Sequence, residues 1–425
     1  MKIQRLVTLL LGVLLCVGVA SAQTKDFTQS GNGRFSIKVQ PFMGGYVMPS
    51  SNMTEINPNG PTGINFGLEF PSSRQRPWRE YLNDPTVGLG ISYIDLGAKV
   101  MGTAISMYPY IMINGFRSAH FNLKVKLGTG LAVLNQHYYK TLDEPIPNMT
   151  FSTSINAYLT GGLNFEFPIT RNFTINSEFG FFHISNGRTV EPNKGGNVLY
   201  GGVGLVSTIN PLEEDELEPI DFPDLPYNWS LNVTASSGAH AADRTDERRF
   251  LVLSMHVGAI YSTCNWHGIG LGADLFYNDA IGNKETNRGM YVVTEDNWRR
   301  MRGGLAINNE FKFGDLVALL DWGVYLFNPV RNLYDNDHPI YGRGPRPLFY
   351  KSTEVGVNEA FHYIRFGIKY RIFDNVYLQA LAKTHMHICE FVEFGVSYQI
   401  PFIKKGKRRD DKVVFHHDRN WWKEY

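Results

Sequence analysis

The sequence predicts an all-β protein, and more specifically a transmembrane antiparallel β-barrel of about 14 to 16 strands. Three observations predict it. Apolar and polar residues alternate in runs of roughly ten residues or more, whereas strands of soluble β-proteins average about five or six. The 425 residues include 13% aromatic residues and 42 glycines but only 19% charged residues. The one long apolar run lies at the amino terminus, so the mature chain is not expected to contain membrane-spanning helices.

That amino-terminal run predicts a signal peptide over residues 1–22. Lys2 and Arg5 precede the apolar residues 6–20, and Ala20-Ser21-Ala22 supplies the small residues that a signal peptidase reads. The run is shorter than the ~20 residues of a spanning helix, which disfavours an uncleaved anchor. We therefore expect export to the outer membrane of a Gram-negative bacterium.

Charge and cysteine content exclude several classes of protein. With 41 basic and 40 acidic side chains, the net charge of +1 gives no field that would recruit nucleic acid. Three cysteines exclude a disulfide scaffold. Cys264 and Cys389 are expected at opposite ends of the barrel, where they are too far apart to form a bridge.

Sixteen segments carry the alternating pattern of a strand with one apolar face. Residues 35–40 show it most simply, with Phe35, Ile37 and Val39 on one face. The segments are 34–48, 62–71, 85–96, 100–113, 117–134, 151–168, 171–186, 196–209, 227–238, 248–263, 266–278, 298–313, 316–328, 361–373, 375–387 and 391–402. An even number is typical of bacterial barrels.

The connections predict an orientation, because outer-membrane barrels have short periplasmic turns and long outer loops. With the amino terminus in the periplasm, the long polar connections fall outside the cell: 135–150, 279–297 and 329–360. Tight turns fall in the periplasm: Asn114-Gly115, Thr170-Arg171 and Asp374-Asn375. Residues 72–84 are an exception, since they are long for a periplasmic turn.

An acidic segment divides the chain near its middle, at residues 213–219. The predicted organisation is a first barrel half over 23–209, a periplasmic linker over 210–226, a second half over 227–402 and a basic periplasmic tail over 403–425. Either all strands close as one barrel, or two eight-stranded barrels stand in tandem. We favour one barrel, because a second barrel would have to seal its own first and last strands across the acidic linker.

Two polar residues interrupt the apolar face of the seventh strand. His183 and Ser185 are two residues apart and therefore stand side by side on the outer wall, near the outer leaflet. Polar groups facing hydrocarbon are costly unless a function retains them, and a His beside a Ser is the minimum for an activated hydroxyl nucleophile. The alternative is that both lie among lipid headgroups, where polar residues cost little.

The string around this pair resembles the signature of the outer-membrane lipid A 3-O-deacylases and acyloxyacyl hydrolases. It comprises residues 183–187, His-Ile-Ser-Asn-Gly, and a Pro-Asn-x-Gly turn that begins at Pro192. Residues 383–398 are also similar to the closing strands of long Bacteroidetes-type members. The resemblance implies His183 as base, Ser185 as nucleophile, Asn186 and Gly187 in the oxyanion site, and Asn193 in a supporting turn.

This sequence departs from the family at the position of the carboxylate that orients the histidine. The matching residue is Asn197, which we expect to lie across from Ser185 on the outward face. An amide holds the imidazole tautomer but does not stabilise imidazolium as a carboxylate does. Weakened or lost catalysis is therefore an alternative, with Glu191 or the inward-facing Glu178 as possible substitutes.

The resemblance predicts an outer-membrane esterase that removes an ester-linked acyl chain from lipid A. Its partners would be lipopolysaccharide and outer-membrane lipids, with no metal, cofactor or nucleic acid. The first alternative is a non-catalytic barrel, either a surface-binding protein or a small pore with lumen-facing basic residues: Lys124, Lys126, Lys369 and Arg371. His385 and His387 are also expected to face the lumen. An exported soluble β-protein is the second alternative.

Overall fold

The computed structural model describes residues 35–47, 49–71, 82, 85–118, 120–210, 227–241, 248–280, 297–328, 361–385 and 388–403. In these residues the chain forms sixteen antiparallel strands, arranged as two closed eight-stranded barrels. The all-β class and the strand number are confirmed. The strands adopt the tandem arrangement, so the preference for one large barrel was wrong. The predicted signal peptide, nearly all of the acidic linker and nearly all of the tail lie outside the described residues.

The strands follow the alternating segments closely. In the first barrel they are β1 Phe35–Tyr46, β2 Thr62–Pro71, β3 Thr86–Asp95, β4 Thr103–Arg117, β5 Asn122–Leu134, β6 Ile155–Pro168, β7 Phe173–Ser185 and β8 Gly196–Ile209. In the second they are β9 Tyr227–His240, β10 Phe250–Ser262, β11 His267–Asn278, β12 Met301–Phe313, β13 Leu316–Phe327, β14 His362–Phe373, β15 Val376–His385 and β16 Ile388–Ile403. The described residues also contain one α-helix, α1, over Ser51–Ile56. No helix among the described residues is long and apolar enough to cross a membrane.

Each barrel closes by pairing its own first and last strands. β1 pairs with β8, from Phe35 opposite Ile209 to Tyr46 opposite Val198. β9 pairs with β16 in the same way, with Val392 opposite Ala239. The chain therefore forms two compact units, one around each barrel. The expected obstacle to two barrels does not hold, because each closing pair is a full antiparallel ladder.

The outer walls of both barrels are apolar. β10 shows the pattern: Leu251, Leu253 and Met255 are exposed, while the alternate residues Ser254 and His256 are buried in the lumen. A continuous apolar belt of this size on a closed barrel is typical of a surface that contacts lipid.

Buried ion pairs fill the lumens, since eight strands leave only enough space for side chains. In the first barrel Glu178 accepts hydrogen bonds from Lys38 at 2.7 Å and Lys126 at 2.9 Å. Further along the same lumen an apolar cluster includes Phe42 and Phe182. In the second barrel Arg365 bridges two carboxylates, those of Asp274 at 2.6 Å and Glu393 at 2.6 Å.

Long connections gather at one end of the first barrel, the end where β7 finishes. They contain α1, a 3₁₀ turn at Tyr138–Lys140 and the β7–β8 loop over 186–195. The predicted turn over Thr170-Arg171 lies at the other end, and the turn over Asp374-Asn375 joins β14 to β15. The turn predicted at Asn114-Gly115 was wrong. These residues lie inside β4, which continues through a bulge in its register as far as Arg117.

Candidate active site

β7 carries His183 and Ser185 at the odd positions of its outward face, as the alternation predicts; His183 is partly exposed, whereas Ser185 is buried, with 7% of its surface exposed. The face includes the exposed residues Phe179 and Phe181, whereas Phe182 and Ile184 point into the lumen and are buried. On the neighbouring β6, Ser185 is opposite Ala157 and His183 is opposite Leu159. The pair therefore stands at the loop end of an apolar wall.

Asn197 lies directly opposite His183 on β8, not opposite Ser185 as expected. The difference arises because the β7–β8 ladder ends at Ile184, which pairs with Gly196. Ser185 lies beyond this last pair, so Asn197 is opposite His183, two residues earlier in β7 than expected. The Asn197 Oδ1 atom is 2.7 Å from His183 Nδ1. A carbonyl oxygen only accepts hydrogen bonds, so Nδ1 carries the proton and Nε2 is left with a lone pair.

Two further asparagines of the motif organise the β7–β8 loop. Asn193 donates its side-chain Nδ2 to Ser185 Oγ at 2.9 Å. The backbone nitrogen of Asn186 is 3.5 Å from Asn193 Oδ1. The side chain of Asn186 points away from this contact and donates to Ser152 Oγ at 2.8 Å. Asn193 thus has a direct hydrogen bond to the hydroxyl, while Asn186 ties the loop to Ser152 in the connection between β5 and β6.

The β5–β6 connection supports the β7–β8 loop from behind. Gly195 donates its backbone N–H to the Thr150 carbonyl at 3.1 Å, and Ser152 accepts from Asn186. α1 holds this connection in turn, because Asn52 Oδ1 accepts from the backbone nitrogen of Met149 at 3.0 Å. These supporting residues carry no periodic or motif signal in the sequence, and only the folded connection brings them to the site.

The two acidic residues considered as substitutes for the missing carboxylate have other partners. Glu191 accepts from Arg188 Nε at 2.6 Å within the same loop. Glu178 lies in the lumen, as expected, between Lys38 and Lys126. Asn197 is therefore the group that contacts the imidazole.

The other candidate residues occupy the lumen of one barrel or the other. Each predicted lumen-facing lysine pairs with a carboxylate: Lys124 with Glu166 at 2.7 Å, Lys126 with Glu178 at 2.9 Å and Lys369 with Glu310 at 2.6 Å. Arg371 pairs with Asp315.

The remaining candidate histidines and cysteines show no assembled site within the described part of the chain. His385 Nε2 is 2.7 Å from the Tyr325 hydroxyl, while His387 lies outside the described residues. No cluster of three or more potential metal ligands occurs among the described residues. Cys264 and Cys389 are free thiols.

The fold and the site together define a β-barrel with a paired histidine and serine on its apolar outer wall. Two family models match this chain. Residues 62–205 match the model described as lipid A 3-O-deacylase (PagL), and residues 229–343 match the acyloxyacyl hydrolase C-terminal domain. The first match contains the whole 183–197 motif. The predicted family resemblance is therefore confirmed, while the likeness drawn from residues 383–398 lies outside both matches and stays a prediction.

Several solved structures are similar to parts of this chain. The outer membrane enzyme PagL has 15% identity and a TM-score of 0.27, over 41% of this chain and 99% of its own. Neisserial surface protein A has 12% identity and a TM-score of 0.26, over 42% and 99%. CdiB from Acinetobacter baumannii has 8% identity and a TM-score of 0.17, over 87% and 60%. No curated relative matches the chain.

Proposed function

We propose that this protein is an outer-membrane esterase that removes an ester-linked acyl chain from lipid A. One observation carries the proposal: His183, fixed by Asn197 at 2.7 Å, stands beside Ser185 on an outward-facing apolar wall. The residues concerned fall within the match to the lipid A 3-O-deacylase model. A polar pair on a lipid-facing wall is costly, which favours a functional reason for its presence.

The proposed mechanism is nucleophilic catalysis by serine. His183 Nε2, free of a proton, accepts the Ser185 proton while Oγ attacks the ester carbonyl carbon. The alkoxide of lipid A leaves with the proton returned by His183, and a water then hydrolyses the acyl-serine by the same path. The fatty acid and the lipid A hydroxyl are the two products.

Donors beside Ser185 stabilise the negative charge that develops on the carbonyl oxygen. The proposed donors are Asn193 Nδ2, which lies 2.9 Å from Ser185 Oγ, and the backbone nitrogen of Gly187, two residues after the serine. Gly187 has φ +63°, a conformation that favours glycine and turns the backbone sharply after the nucleophile. Such donors typically contribute about 10²–10³-fold to the rate of acyl transfer in other hydrolases.

The proposed route of the substrate to the pair is through the membrane, because the pair lies on the outward side of β7. A substrate embedded in the same leaflet approaches Ser185 by lateral movement along the wall and does not enter the lumen. The apolar neighbours Phe179, Phe181 and Leu159 suit an acyl chain, while the polar loop end suits a glycolipid headgroup. Lipopolysaccharide is therefore the proposed partner, and the outer membrane is the proposed location.

The buried ion pairs in the lumens weigh against the alternative of a small anion-conducting pore. The basic residues that would line such a pore are neutralised by the carboxylates Glu166, Glu178 and Glu310. An anion path needs a row of cations whose charge is not neutralised, and these lysines are each paired with a carboxylate.

The test is release of fatty acid from lipid A by the purified protein in lipid vesicles. Wild type is compared with Ser185→Ala and His183→Ala. Ser177→Ala is the matched control, because Ser177 lies on the same outward face of β7. We expect activity in wild type and Ser177→Ala and a loss of about 10³-fold or more in the other two. Equal release by wild type and Ser185→Ala would refute the proposal.

A further inference from the structure

We propose that Gly195 is a positioning residue: the absence of its side chain leaves the space in which the His183 imidazole lies. The inference rests on the proposed function, since it concerns how the base is held against the nucleophile. Asn197, on β8, holds the imidazole by a hydrogen bond. Gly195, in the loop before β8, acts on the same ring only through the space that it leaves.

The space around Gly195 is filled by both members of the pair. A Cβ atom at this position would lie 2.9 Å from His183 Cε1 and 3.5 Å from Ser185 Cβ. The first distance is shorter than a van der Waals contact between carbons, so the ring would have to move. Cε1 lies between the two ring nitrogens, so a displacement of this atom pulls Nδ1 away from the Asn197 Oδ1 atom, 2.7 Å away, and shifts Nε2 with it.

Backbone hydrogen bonds hold Gly195 in place, so the loop does not move away from the His183 ring when a Cβ is added. Its N–H donates to the Thr150 carbonyl at 3.1 Å, and the preceding Lys194 N–H points to the Met149 carbonyl at 3.4 Å. Its φ of +67° is left-handed, where residues with a side chain other than Asn or Asp are uncommon. The ring therefore has to yield, and not the loop.

Two substitutions at position 195 distinguish the effect of the Cβ contact with His183 from the effect of backbone strain. Gly195→Ala adds both a Cβ and left-handed strain, whereas Gly195→Asn adds the Cβ with little strain because Asn tolerates positive φ. Gly314, in the turn between β12 and β13, has φ +68° and supplies matched controls. Gly314→Ala and Gly314→Asn carry the same backbone demands in the second barrel.

The experiment measures kcat and KM for fatty-acid release from lipid A, together with the rate of Ser185 labelling by a fluorophosphonate. We expect both Gly195 variants to lose about 100-fold in kcat and in labelling rate, with KM within about twofold of wild type, since misplacing a catalytic group by about 1 Å costs that much. The Gly314 variants should retain wild-type kcat. Heat-dependent migration on gels confirms that each barrel is folded.

The outcomes distinguish this inference from the proposed function. Wild-type kcat in folded Gly195→Asn would overturn the positioning role while leaving the esterase in place. A loss confined to Gly195→Ala would also overturn it, because strain alone would then explain the result. Absence of fatty-acid release by wild type would instead refute the proposed function, and the positioning role with it.

Discussion

Replacing Asn197 by aspartate should increase the rate of the enzyme. Asn197 Oδ1 accepts from His183 Nδ1 at 2.7 Å, so Asn197→Asp places a carboxylate oxygen on the same proton. An amide fixes the tautomer, but a carboxylate also stabilises the imidazolium that forms when Ser185 loses its proton.

The magnitude follows from the short distance. Opposite unit charges about 4 Å apart interact by about 4 kcal/mol at an effective dielectric constant of about 20. That energy corresponds to roughly 10³-fold in rate, and the cost of partly burying the new carboxylate subtracts from it. We therefore expect Asn197→Asp to raise kcat by about 10-fold to 1,000-fold, and Asn197→Ala to lower it by about 100-fold.

The assay is fatty-acid release from lipid A at fixed vesicle composition. Asn309→Asp is the matched control, because Asn309 also lies on an outward strand face and donates only to the Leu320 carbonyl. It adds the same charge to the outer wall without touching an imidazole. A decrease in kcat for Asn197→Asp, with Asn309→Asp unchanged, would refute the reasoning about the missing carboxylate.

Two further predictions concern stability. Glu178→Gln removes the buried partner of Lys38 and Lys126 and should lower the free energy of unfolding by about 3–5 kcal/mol. Asp315→Asn breaks a partly exposed pair with Arg371 and should lower it by about 1 kcal/mol or less. Urea unfolding in vesicles measures both changes, and equal effects would show that burial does not set the cost of losing an ion pair. Leu271→Arg, 70% exposed in the middle of β11, should cost about 2–4 kcal/mol if the outer wall contacts hydrocarbon, and a cost near zero would contradict a membrane location.

The strands were predictable because their pattern is local. A period of two marks each wall residue as inward or outward, and the same pattern is sufficient to place His183 and Ser185 on the outer face. Strand closure was not predictable in this way. The pairing of β1 with β8 joins residues far apart in sequence. The alternating pattern of a strand shows which face is apolar, but it does not specify the strand with which it pairs.

The site was predictable to the extent that a motif carries it. Residues 183–187 and 192–197 contain the histidine, the serine and their asparagine partners, but the register of Asn197 depends on where the β7–β8 loop ends. Ser152 and Thr150 support the loop through a side-chain hydroxyl and a backbone carbonyl. Irregular connections of this kind have no periodicity, so their contacts appear only once the loop has folded.

The most direct test of the central claim is mass spectrometry of lipid A from cells that express either the wild-type protein or Ser185→Ala. We expect lipid A to lose the mass of one ester-linked acyl chain with the wild type only, and the lost mass identifies the bond. Unchanged lipid A in both strains, with equal amounts of folded protein in the outer membrane, would show that this protein does not remove an acyl chain from lipid A.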